Sequence, residues 1–409
     1  MQQRKSNRRV LANPRRARKV LDRHASFVCI RYASSSLTFP VKEDKSLKIH
    51  NKHPSLIVRE ETPLNAGPPL TLLRENFITA RELFFVRNHA PVPEIDEANY
   101  RLSVGGMTKT PLQLTLAEVK RNFPRESVTA TLQCAGNRRD ELAQVAQTPG
   151  ELPWGAEAIS NAVWTGAPLR EILMVANVTN EAKHVAFKGL DEVERQGKQF
   201  GFGGSIPLDK ALRAEVLLAY EMNNEPLAAT HGFPLRVVVP GYIGARSVKW
   251  LSEITLQAEP SDNYFQAHAY KLFPPQTNAA NVDWSQGLML GEQSLNAVIC
   301  RPQQNEKIAA GRVLMQGYAM AGGDRRIERV DVSIDNGETW TMATLPEDRP
   351  SWAWCLWEAA LDMPPGEGEI IVRALDSAAN TQPEHVRHVW NFKGYMNNAW
   401  HRVRVQCAG

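Results

Sequence analysis

Beyond Tyr264 the chain reads as sheet. Val313 to Tyr318, Arg329 to Ile334 and Thr339 to Thr344 alternate apolar and polar side chains, the period of a strand with one buried face. Between two of these runs Asp335-Asn336-Gly337 supplies a tight turn of the Asn-Gly kind. Trp352 to Trp357, Ile370 to Leu375 and His388 to Phe392 continue the pattern at sandwich-like spacing. The expectation is an all-β sandwich of immunoglobulin type over 263–409, packed against a first domain or against a second copy of itself.

Upstream the pattern is mixed. From Tyr100 to Glu259 short apolar strands alternate with short helices, as at Leu114 to Asn122 after Thr115 and Leu169 to Asn177 after Pro168. That order suits an α+β domain, here set at 51–262, and 409 residues are enough for two or three domains. Pro54 to Pro69 is proline-rich and aperiodic, which suits an extended arm. No apolar run approaches the roughly 20 residues that cross a bilayer, so membrane insertion is not expected.

The net charge of +4 is concentrated at the front, where Arg4 to Arg31 carry ten cations against Asp22 alone. Without that segment the balance turns slightly acidic, so a nucleic-acid partner for the folded body is not indicated. Residues 1–50 read as a basic segment, and the Arg-rich, acid-poor run ending in Tyr32-Ala33-Ser34-Ser35-Ser36 has the composition of a mitochondrial transit peptide. The alternative is a basic tail without an address on a cytoplasmic protein.

Chemistry is suggested first by Thr129 to Glu141. Thr129, Thr131 and Leu132 end a strand and Ala135-Gly136-Asn137 turns it, which puts Cys134 where a sheet hands over to a loop, with Arg138 and Arg139 beside it. Nearby positive charge favours the thiolate, the form that ligates metals or attacks electrophiles. The five cysteines contain no CxxC pair, so a reactive one acts alone. Leu83 to Val86 reads as an apolar run that ends in Arg87-Asn88-His89 and is stopped by Pro91 and Pro93. His231-Gly232-Phe233-Pro234-Leu235-Arg236 and Gly244-Ala245-Arg246-Ser247-Val248-Lys249-Trp250 also set cations next to glycine or proline turns, where backbone N–H groups are free for an anion. Four such patches in one domain ask for a large polyanionic ligand. Neither a GxGxxG nor a Walker loop is present.

With those motifs, and with Tyr270-Lys271-Leu272-Phe273-Pro274 and Asn397-Asn398-Ala399-Trp400-His401-Arg402-Val403, the chain resembles the sulfite oxidase family over roughly Pro54 to Val403. The resemblance implies a molybdopterin-binding α+β domain followed by an immunoglobulin-like dimerisation domain, and a homodimer. It implies Cys134 as the protein ligand to molybdenum. It also implies that Phe85, Val86, Arg87, Asn88, His89, Asp191, His231, Arg236, Ser247, Val248 and Lys249 hold the pterin and its phosphate. Arg87 and Arg139 are implied to grip sulfite or another small oxyanion, with the Tyr270 hydroxyl adjacent. The implied activity is oxidation of sulfite to sulfate by oxo transfer. One position departs from the family pattern: Trp390-Asn391-Phe392-Lys393-Gly394 offers Lys393 where a third substrate arginine is usual, which keeps the charge and loses the bidentate fork. No haem-b, haem-c, FAD or NAD signature is present, so electrons are expected to pass to an external acceptor, dioxygen or a cytochrome c. The competing reading is nitrate reduction or another S- or N-oxide reaction on the same cofactor, and a non-catalytic binding protein is the alternative of a different class.

Overall fold

The computed structural model describes residues 45–409, so the basic run and the targeting reading attached to it lie outside the described residues. The expected extended arm folds back on itself instead. Ile57–Glu60 pairs antiparallel with Asn65–Gly67. Ala66 then exchanges both backbone hydrogen bonds with Val86. That single bridge is all the strand that Leu83 to Val86 makes. Leu83 and Phe84 lie in a turn closed onto Ala80, and the adjacent rings of Phe84 and Phe85 are both buried and stack at 5.4 Å. In a strand, neighbouring side chains take opposite faces, so the apolar run here marks a buried turn.

Two sheets build the α+β region. One orders Gly203–Pro207, His184–Gly189, Leu251–Gln257, Leu102–Gly106 and Leu112–Leu114. The other orders Glu225–Pro226, Leu217–Met222, Ile159–Pro168 and Glu126–Gln133, with Arg236–Val238 also on Leu217–Met222. The helices Leu116–Asn122 and Leu169–Ala176 fill the core beside them through Leu116, Val119, Ile172 and Leu173. The first helix starts where the sequence says. Thr115 Oγ1 accepts from the Glu118 amide and the Glu118 carboxylate accepts from the Thr115 amide, so two otherwise unpaired donors are satisfied.

The carboxyl-terminal region is the expected sandwich. Asn296–Arg301, Gly311–Met320 and Cys355–Met363 form one sheet. Glu306–Ala309, His401–Ala408, Gly366–Asp376, Ile327–Ser333 and Thr341–Met342 form the other. Val330, Val332, Ile370 and Val372 from the second sheet meet Met315, Ala319 and Trp357 from the first. Two expected strands change. His388 to Phe392 is not a strand, since a short 3-10 turn covers Val386–His388, and the closing strand is His401–Ala408, whose His401, Val403, Val405 and Cys407 alternate inward. Thr339 to Thr344 shrinks to Thr341–Met342 because the Asp335 carboxylate accepts from the Thr339 amide and hydroxyl and draws that residue into the turn. Asn336 and Gly337 take the left-handed conformation that an Asn-Gly turn needs (φ 60° and 90°).

Several contacts from the sandwich reach the Cys134 loop. Gln293 Nε2 donates to the Gln133 carbonyl (2.7 Å) and Met396 N–H to the Ala135 carbonyl (2.7 Å). Asn397 Nδ2 donates to the Arg138 carbonyl (2.9 Å), and Asn137 Nδ2 to the Tyr318 hydroxyl (3.1 Å). The β-region thus fixes the backbone on which the cysteine sits. Among the described residues no helix is long and apolar enough to cross a membrane.

Candidate active site

Cys134 leaves the strand Glu126–Gln133 as it ends, with its amide bonded to the Ala158 carbonyl and the Gly136 amide donating to its sulfur (3.4 Å). Asn137 locks the turn from within, its Oδ1 accepting from the Ala158 amide (2.9 Å). Arg138 follows in the left-handed region at φ 64°. Its guanidinium is completely buried, bidentate on Glu141 and bonded to Asn296 Oδ1. Arg138 therefore points away from the sulfur and braces the loop.

Cys134 lines a cleft whose empty space, counted out into the open solvent at its mouth, is about 700 Å³. Phe85, Val86, Arg87, Asn88, His89, Asp191, His231, Arg236, Ser247, Lys249 and Tyr270 line it with Cys134. The structure thus brings together segments that the sequence holds far apart. Val248 does not line it, being packed into the core behind. Arg139 and Lys393 are also absent from the lining. Arg139 donates to the carbonyls of Leu152 and Gly394, lies over the Tyr395 ring at 5.0 Å, and pairs with Glu151 at 3.5 Å. Lys393 pairs with the other oxygen of the same carboxylate. Tyr395 stacks on Tyr270 at 5.2 Å, so this cluster lies behind the tyrosine that faces the cleft.

The cations of the cleft are held by neutral groups. Arg236 donates to the carbonyls of His231 (2.9 Å) and Ser247 (3.0 Å), and burial lowers it to about 9. Lys249 donates to Thr230 O (2.9 Å) and Asn88 Oδ1. Burial, with Arg236 beside it, holds Lys249 well below the usual lysine range. The only acid in the lining is Asp191, which accepts from the Phe202 amide and whose carboxyl burial raises. His231 and His89 are kept neutral, first by burial and then by these neighbouring cations. His89 lies between Phe202 and Phe265 and shares a 3.0 Å hydrogen bond with the Tyr270 hydroxyl, which burial makes harder to ionise.

Some residues here have no sequence signal. Asn65, fully buried in the hairpin, accepts from Arg87 Nη1 and from the Asn88 amide and so aims both. Lys52 reaches in behind His231, its Nζ 3.1 Å from Nε2, and burial lowers it to about 7. A charged ammonium can only donate, so charged Lys52 places the His231 proton on Nδ1. Thr230 Oγ1 lines the cleft, buried and without a partner.

These observations test whether a molybdopterin fits. Desolvated cations facing one acid, and an orphaned hydroxyl, are unfavourable unless an anion with hydrogen-bonding oxygens completes them. Phe85, Phe202 and Trp250 offer flat apolar walls for a ring system. Among the described residues no group of three or more His, Cys, Asp or Glu side chains is placed to hold a metal ion, so a metal at Cys134 takes its other ligands from a bound group. The donor set fits a dithiolene-bearing pterin phosphate.

Residues 89–265 match the oxidoreductase molybdopterin binding domain, and residues 289–408 the Mo-co oxidoreductase dimerisation domain. The chain is 45% identical over 365 residues to the mitochondrial sulfite oxidase of Homo sapiens, covering 87% of this chain and 66% of that protein. It is 41% identical over 376 residues to the sulfite oxidase of Arabidopsis thaliana, covering 87% and 95%. Among solved structures, the sulfane dehydrogenase SoxCD of Paracoccus pantotrophus superposes with a TM-score of 0.73 at 24% identity, over 92% of this chain and 94% of that one, a likeness of fold.

Proposed function

The chain belongs to the sulfite oxidase family of molybdopterin-dependent oxidoreductases, and from that premise we propose that it oxidises sulfite to sulfate and passes the electrons to an external acceptor. The observation that carries the proposal is the cleft itself, in which one cysteine sulfur faces a wall of buried cations with a single acid among them.

Phe85 to His89, Asp191, His231, Arg236, Ser247 and Lys249 hold the cofactor, with Thr230 added by its unpartnered hydroxyl. Lys249 and Arg236 would hold its phosphate by charge-assisted hydrogen bonds, and Asp191 would serve as an acceptor for its polar ring. Cys134 contributes the one sulfur the protein supplies to the metal. When bound, the molybdopterin supplies the two-electron oxygen-transfer chemistry. The protein's own part is to bind and orient a compact dianion. Arg87 presents a guanidinium held by Asn65, and Arg139 and Lys393 are further cations within reach once freed from Glu151. Tyr270 and neutral His89 share a proton at the edge of the cleft and keep it hydrogen-bonded while water leaves.

The catalytic part is taken as 51–262 and the dimerisation part as 263–409, a division close to that of the two domain matches, the first of which ends at 265 and the second of which begins at 289. A homodimer through the sandwich is inferred from the second match, and light scattering of the purified chain tests it. The mitochondrial name of the human relative supports the same address here. A fluorescent fusion of the first 40 residues that stays cytosolic would remove it. Purified protein assayed with sulfite and ferricyanide, against nitrate and reduced viologen, tests the reaction. Turnover in the first assay alone is expected, and turnover only in the second overturns it. Substituting dioxygen or cytochrome c for ferricyanide identifies the acceptor.

A further inference from the structure

The Glu151 carboxylate lies between two cations. One oxygen meets the Lys393 ammonium and the other stands 3.5 Å from Arg139 Nη2. Its side chain is 14% exposed, so both contacts are made largely out of water, where they are strong. The cluster sits directly behind the metal-ligand loop. The Arg139 guanidinium crosses Gly136, where an added Cβ would be 2.4 Å from Nη2, and Gly136 in turn donates to the Cys134 sulfur. On its other side Arg139 lies over Tyr395, which stacks on Tyr270 at the cleft.

A carboxylate and a sulfur oxyanion offer a guanidinium the same thing, two or more oxygens that share negative charge. Glu151 therefore occupies donors that an incoming oxyanion would use. We propose that Glu151 is an internal competitor for substrate and thereby a specificity determinant: its carboxylate holds Arg139 and Lys393 as a closed group, and an anion gains them only by displacing it. Displacement by a monoanion such as nitrate or chloride replaces one negative charge with another and gains little. A dianion such as sulfite or sulfate brings a second charge and prevails. The local site thus selects dianions by making entry compete with a resident carboxylate. The idea rests on the reading of Arg139 and Lys393 as oxyanion-binding cations. It also accounts for a lysine at 393, whose single flexible ammonium can follow either the glutamate or the ligand.

The test compares the full-length holoenzyme with its Glu151→Gln variant. The KM for sulfite should fall about tenfold, the weight of one charge-assisted contact, with kcat within about twofold. Sulfate binding measured by calorimetry should tighten in parallel, and inhibition by chloride and nitrate should appear at lower concentrations. A sulfite KM and sulfate affinity that are unchanged or weaker, in a variant that still melts cooperatively, overturn the proposal. If the amide variant does not fold, Glu151→Asp shortens the reach so that one cation is released. A smaller fall in KM is then expected, and none overturns the idea. Wild-type protein that fails to oxidise sulfite sinks the function instead, whereas active wild type with an unaltered variant sinks only the role of Glu151.

Discussion

Two groups of buried cations flank Tyr270, and they are satisfied in opposite ways. In and behind the cleft wall Arg236, Lys249 and Lys52 donate to carbonyls, an amide oxygen and an imidazole, with Asp191 the one acid in the lining. On the Cys134 loop Arg138 has Glu141, and behind the tyrosine Arg139 and Lys393 share Glu151. A desolvated cation that bonds only neutral dipoles lacks its counter-charge, whereas one that meets a carboxylate already has it. The first group is therefore built around an anion that is not part of the chain. The second is complete within the chain and must be opened before it can bind anything.

The widest separation between the groups is expected from removing one cation of each. Arg139→Met leaves Glu151 and three carbonyl contacts disturbed, and should lower stability by about 3 kcal/mol whether or not cofactor is present. Lys249→Met should instead raise the melting midpoint of cofactor-free protein, by the equivalent of about 1 kcal/mol, while the purified holoenzyme loses most of its cofactor. Equal destabilisation of the cofactor-free protein by both variants would erase the distinction.

A pH titration sharpens it. Folding moves Lys52 down from its ordinary value of 10.5 to about 7. Between those values the unfolded chain binds a proton that the folded one does not, so the stability of cofactor-free protein should rise from about pH 7 toward pH 10.5. An anion bound next to the cluster restores the charge, and the slope over that window should flatten in holoenzyme. Denaturant midpoints of both forms across the window check this, and a Lys52→Met variant should make the slope of the cofactor-free protein shallower, leaving the share that the likewise lowered Lys249 contributes.

The smallest effect is expected at Lys393. Because it already pairs with Glu151, Lys393→Met should weaken sulfite binding by no more than about 1 kcal/mol, seen in KM with kcat retained. A larger loss would mean that Glu151 does not compete for the ammonium before substrate arrives.

Much of this organisation is legible in the sequence, and the illegible part has a physical cause. The Cys134 turn, the Arg87-Asn88-His89 segment and the two later glycine-flanked cations are local patterns, in which residue type and the neighbouring turn state the same thing. The sandwich follows from period-two alternation, and the strand it shortens and the one it loses are places where hydrogen bonding or a 3-10 turn overrides that period. Asn65, Lys52 and Glu151 carry no such mark. Each looks like a polar residue on an ordinary loop. Their meaning comes from partners far along the chain: Asn65 with Asn88, Lys52 with His231, Glu151 with Lys393. Only the folded chain says which polar loop residues are buried. The same holds for Arg138 and Arg139, adjacent in sequence, whose guanidinium groups the left-handed turn at Arg138 sends to different glutamates.

The claim that the cleft cations await an anionic metal cofactor at Cys134 is tested most directly by analysing molybdenum and released pterin in protein purified from a cofactor-competent host, alongside Cys134→Ser. Roughly equimolar molybdenum is expected in the wild type. The serine variant should keep pterin while losing sulfite oxidation. Folded wild-type protein that carries neither molybdenum nor pterin would contradict the account.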